Sequence, residues 1–152
     1  MPGAVPVRAS SRAHFSIADL RLGDLMRASA IGFILAILVA ASGMIWGITM
    51  GITGNHTTFS AHAHLNLLGW VSLFLMSIFY HLHPAVDRSR GAVAQVVVWV
   101  VATVIMAVGI GVKEGVSPAL GEPIAAIGSL AVFADFLFFA WLAVRRGVLA
   151  SA

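Results

Sequence analysis

The chain contains no cysteine. Disulfides, thiolate metal sites and covalent heme attachment through a Cys-x-x-Cys-His motif are therefore excluded, and any metal chemistry must rest on histidine. Charge is scarce as well: 10% of the 152 residues are charged and 60% are hydrophobic, against about 25% and roughly 45 to 50% in an ordinary soluble domain. A soluble domain of this size would leave much of that apolar excess facing water, so the composition calls for lipid as its solvent. Eight of the nine basic residues are arginines, and they lie near the ends of apolar runs. That placement reads as a topology signal and not as a nucleic-acid patch.

What the sequence does have is four long apolar segments, over about residues 28–51, 59–81, 92–112 and 123–144. Each can cross a hydrocarbon core, which takes roughly 20 residues. The connections ITGNHTT, HPAVDRSRG and KEGVSPALGEP supply Gly, Pro, Asn and Ser to end helices, and Pro123 suits the first turn of the fourth. The expected fold is an all-α membrane protein, an up-down-up-down bundle with its transmembrane domain over 28–146. Residues 1–16 read as a flexible tail, and 147–152 as a second one. Between the first tail and the bundle, residues 17–27 place Ile17, Leu20, Leu22, Leu25 and Met26 near one helical face, which predicts an amphipathic segment lying on the membrane surface.

Arg8, Arg12, Arg21 and Arg27 precede the first span, Arg88 and Arg90 occupy the second connection, and Arg145 and Arg146 follow the last span. Only Lys113 falls on the other side. The positive-inside bias predicts cytoplasmic termini in a bacterial-type inner membrane, with the loops carrying His56 and Glu122 outside.

The second span, FSAHAHLNLLGWVSLFLMSIFYHLHP, holds four of the six histidines. Two residues along a helix turn its direction by about 200 degrees, so His62 and His64 point to opposite faces and cannot clamp one metal from a single helix. They can each offer a ligand to a different neighbour, and neutral imidazole is a common ligand for iron and copper.

This segment resembles the heme-ligand helix of subunit I of the heme-copper oxidases, especially the C-family (cbb-type) cytochrome oxidases and the nitric oxide reductases. The likeness is carried by His62-Ala63-His64, Leu68-Gly69-Trp70-Val71, and Tyr80 followed by Pro84, over about 26 of the 152 residues. It implies that His62 and His64 are axial ligands of heme b, with Asn66, Gly69 and Trp70 beside them. Family subunits have about twelve spans in three four-helix units and a copper site of three histidines with a nearby tyrosine. Here the first, third and fourth spans have no histidine, and Tyr80 lies 16 residues beyond His64, roughly 24 Å along a helix. One chain therefore lacks the binuclear centre, and the resemblance implies a homotrimer holding heme between protomers, His64 of one chain opposite His62 of the next. Threefold closure keeps that heterologous interface finite. The implied function is electron transfer or oxygen or nitric oxide chemistry, with lipid, other copies of the chain and a redox partner as its associates.

Other residues add to this picture or compete with it. Gly43, Gly47 and Gly51 form a small-residue face suited to close helix packing or to a heme edge, and Trp46, Phe59 and Trp70 suit a porphyrin pocket or an interfacial belt. Asp135 is the formally charged residue deep in a span, where insertion costs on the order of 2.5 to 3.5 kcal/mol. Counted from the outer end, it is expected near the depth of Ser72, as a proton relay or as a hydrogen-bonded structural group. His81 and His83 read as surface residues. Two further readings stand beside heme: a copper or zinc module built from His56, His62 and His64, and a structural accessory bundle without cofactor.

Overall fold

The computed structural model describes residues 26–148. Among them, four helices are long and apolar enough to cross a membrane: α1 (Ala28–Thr53), α2 (Phe59–Leu82), α4 (Arg90–Gly115) and α5 (Pro118–Leu142), with a short α3 (Pro84–Asp87) joining α2 to α4. The short connections make sequence neighbours antiparallel. Of the expected amphipathic segment, only Met26 and Arg27 belong to the described residues; the N-terminal tail and residues 149–152 lie outside them.

Local chemistry sets the helix ends. Asp87 closes the start of α1 from another element: its Oδ1 accepts the Ser29 backbone N–H at 2.7 Å, and its Oδ2 accepts the Ser29 hydroxyl at 2.9 Å. A carboxylate is favourable there because the first N–H groups of a helix lack internal partners and sum to a positive end. Gly54, at φ 66, supplies the left-handed residue that stops α1. Ser89 caps α4 by accepting the Ala92 N–H at 3.2 Å.

At the opposite end, α4 and α5 are joined only through Val116 and Ser117, and the turn is bridged by Lys113 and Glu122 at 3.0 Å. Pro118, not Pro123, opens α5; Pro123 lies inside the helix. The expected start at 123 is thus too late by five residues. Proline in the first turn lacks only an N–H that has no helical partner, and Pro118 takes that place. Pro123 instead withholds one hydrogen bond near the end of the helix, where the break is tolerated.

The earlier start moves Asp135. It lies 17 residues beyond Pro118, which corresponds on α2 to Met76 and not to Ser72.

Packing uses close backbone approach more than bulk. A Cβ at Gly109 would collide with the backbone of Ala125, one at Gly121 with that of Lys113, and one at Gly128 with that of Met106. Lipid tails are as apolar as leucine, so helices in a bilayer gain by dispersion contact, and small residues permit it. α5 packs along α4, while α2 touches both α1 and α4. Large apolar side chains such as Ile52, Leu75, Leu130 and Phe133 point outward. The interior is built mainly from small and apolar residues such as Leu73, Met76, Val96 and Trp99, and it also holds the polar groups of Tyr80, Gln95, Thr103 and Asp135, all buried. Polar groups within a span are placed towards protein and away from lipid.

Candidate functional site

The first six residues of α2 are regular α-helix, so His62 and His64 take the opposite directions that their spacing requires. His62 is half-buried and turned towards α1, edge-on to Trp46 with ring centroids 6.3 Å apart. A Cβ on Gly47 would stand 3.1 Å from its Cε1 and 3.5 Å from its Nε2. Glycine at 47 is therefore what lets the imidazole lie against the α1 backbone. One turn further on, Asn66 fills the space over Gly43. Its amide Nδ2 donates to the His62 carbonyl at 2.9 Å and lies 3.2 Å from His62 Nδ1.

His64 is exposed on the other side. Its Nδ1 lies 2.7 Å from the Ser60 carbonyl. A carbonyl only accepts, so Nδ1 carries the proton and the Nε2 lone pair is left available. Ligating histidines are oriented in this way, the second ring nitrogen donating to a fixed oxygen. The surface around His64 on α2 is apolar, with Phe59, Leu67, Val71 and Phe74 all exposed.

Immediately after His64 the helix widens. Leu65–Ser72 is π-helical, with the Ser72 hydroxyl reaching back to the Leu67 carbonyl at 2.9 Å. The indole of Trp99 on α4 donates to the Leu68 carbonyl at 2.9 Å and so anchors the widened turn to a neighbouring helix. Short π segments inside α-helices recur at functional sites. Nothing in the sequence motif predicts this one. Gly69 is buried within it, where a Cβ would stand 2.7 Å from Val39 Cγ1, while Trp70 is exposed.

The remaining candidates separate from this site. His56 is exposed in the loop between α1 and α2, its Nδ1 3.1 Å from the Gly54 carbonyl. Among the described residues no three His, Asp or Glu side chains are placed to hold a metal ion together. A copper or zinc site formed by His56, His62 and His64 of one chain is therefore not assembled. Along the glycine face, Gly43 and Gly47 are covered by Asn66 and His62, and only Gly51 is open, with nothing within 4 Å. A heme edge has no access to the covered pair.

Asp135 belongs to a second cluster. Tyr80 donates its hydroxyl to Gln95 Oε1 at 2.8 Å, and Gln95 Nε2 donates to Asp135 Oδ2 at 2.7 Å. Phe139 packs edge-on against Tyr80, with centroids 5.8 Å apart. No motif singles out Gln95, although a lone amide inside AVAQVVVWV carries the same signal as Asp135: a polar group in a span needs a partner. The cluster ties α2, α4 and α5 together near the arginine-bearing end, far along α2 from His62 and His64.

The fit to a porphyrin is uneven. His64 presents a ligand nitrogen with its tautomer fixed and space before it. His62 is backed by α1, and a porphyrin on that side would require α1 and α2 to part. Comparison with protein-family models, curated proteins and solved structures finds no match to this chain.

Proposed function

We propose that this multi-pass membrane protein binds heme b at contacts between copies of the chain, with His64 as one axial ligand. The observation that carries the reading is the outward imidazole of His64, oriented by the Ser60 carbonyl, on an apolar face of a spanning helix beside a π-helical turn. A ligand nitrogen aimed out of an apolar surface gains most from a partner that is itself apolar and metal-bearing. A bound heme b supplies a one-electron couple when two imidazoles hold the iron, and a site for a small gas when one position stays open.

The opposing ligand comes from a neighbouring copy. In the threefold plan it is His62 of the next chain, which must first turn away from Trp46 and Asn66. A twofold pair of His64 residues needs no such movement, and the inward placement of His62 favours it as the second reading. The chain's role is electron transfer or oxygen or nitric oxide chemistry, in an inner membrane of bacterial type with the arginine-bearing end and both termini cytoplasmic.

Native mass spectrometry of the heme-loaded protein tests this reading. One heme per two chains in a dimer supports paired His64 residues, and one heme per chain in a trimer supports the threefold plan. A monomer that retains six-coordinate heme contradicts both.

A further inference from the structure

At the arginine-bearing end an open groove of about 700 Å³ lies between the start of α1 and the first turns of α4. Its mouth is lined by Arg27, Arg88 and Arg90, and its wall by Val93, Val97 and Val98 of α4. Val97 and Val98 lie seven and eight residues beyond Arg90, so the groove descends roughly 10 to 12 Å into the span at 1.5 Å per residue. Both valines are close to half exposed, at 45% and 46%. The nearby carboxylate, Asp87, is buried and accepts from Ser29, and the three arginines of the lining outnumber it.

We propose that this groove is a binding site for an anionic glycerophospholipid, the phosphate diester lying against Arg88 and Arg90 and one acyl chain running down the valine wall. Three features point to this occupant. Charge at the mouth is cationic, and planar guanidinium groups match phosphate oxygens in a bidentate manner. Below the mouth the lining turns apolar at the depth where a headgroup gives way to hydrocarbon, which a soluble anion could not use. The wall also opens on the lipid-facing surface of a spanning helix, so lipid reaches it without displacing protein. Basic pockets between helices at the cytoplasmic face are the recurring form of such sites.

The test is native mass spectrometry of the full chain in detergent, titrated in parallel with phosphatidylglycerol, phosphatidylcholine and soluble glycerol phosphate. The expected result is a preference for phosphatidylglycerol over phosphatidylcholine that falls about fivefold for each arginine removed, near 1 kcal/mol apiece. Arg88→Gln with Arg90→Gln brings the two lipids to parity, Val97→Trp abolishes the preference by filling the groove with the arginines intact, and Lys113→Gln at the far end leaves it unchanged. Val97→Trp keeps the proposal testable if the double arginine variant fails to fold. Equal binding of both lipids to the unaltered chain overturns the proposal, as does full retention of the preference in Val97→Trp. Binding of glycerol phosphate as tight as that of the lipid would show that the apolar wall contributes nothing and would also overturn it. Efficient crosslinking of Leu22→Cys to Val98→Cys would assign the groove to the chain's own segment and exclude lipid as its occupant.

Discussion

Gln95 and Asp135, forty residues apart in sequence, meet in a 2.7 Å hydrogen bond inside the bundle, and the same glutamine accepts the Tyr80 hydroxyl at 2.8 Å. One amide thereby satisfies a carboxyl group and a phenol from two other helices. Replacing Gln95 with leucine keeps the volume but leaves both partners alone where water does not reach. The expected loss is about 1 to 3 kcal/mol, the usual cost of a buried polar group left unsatisfied. Unfolding in mixed detergent micelles measures it. Pairing Gln95→Leu with Asp135→Leu should cost less than the sum of the two changes, because each removes the other's orphan.

A second prediction concerns the start of α1. Asp87→Ala removes the acceptor of both Ser29 donors, whereas Ser29→Ala removes only the hydroxyl and leaves the N–H bonded. Thermal unfolding should show Asp87→Ala destabilised by about 0.5 to 2 kcal/mol, as for loss of an N-cap, and Ser29→Ala by distinctly less. Equal effects would mean that the backbone contact contributes nothing.

Glycines in this chain divide by what faces them. Gly128→Leu must push the Met106 backbone away and separate α4 from α5, whereas Gly51→Ala meets nothing within 4 Å. Melting temperatures should show the first strongly destabilised, by about 1 to 3 kcal/mol or more as expected of overpacking. The second should be neutral or stabilising by up to about 1 kcal/mol, from the higher helix propensity of alanine.

Much of this was legible in the sequence, for identifiable reasons. Apolar run length and the paucity of charge specify a four-span protein, because lipid imposes both. The opposed directions of His62 and His64 follow from helix geometry alone. Less local features were not legible. Whether Pro118 or Pro123 opens the fourth helix depends on a two-residue turn held by Lys113 and Glu122, and that choice shifts the depth of Asp135. The π-helical turn at Leu65–Ser72 carries a carbonyl bonded by Trp99, thirty-one residues from Leu68, and no local pattern marks it. Of the glycines expected to matter, Gly43 and Gly47 pack closely, against Asn66 and His62, while Gly51 meets nothing within 4 Å. The approaches of backbone to backbone, at Gly109, Gly121 and Gly128, carry no motif.

Orientation in the membrane is open to a direct check, because the chain has no cysteine to remove. Thr57, in the loop after α1, and Ala85, in α3 at the opposite end of the bundle, are both exposed and accept a single cysteine each. An impermeant thiol reagent applied to intact cells should label Thr57→Cys and spare Ala85→Cys, as the arginine distribution predicts. The opposite pattern would invert the topology.

Heme ligation by His64 is read directly from the reduced-minus-oxidised optical spectrum of detergent-purified protein expressed with ample heme. Heme b bands are expected in the unaltered chain and are lost in His64→Ala, with the helical fold retained by circular dichroism. His62→Ala separates the two assemblies: it loses the bands in the threefold plan and keeps them where His64 residues pair. A spectrum without heme b bands, or bands that persist unchanged in His64→Ala, would contradict ligation by His64.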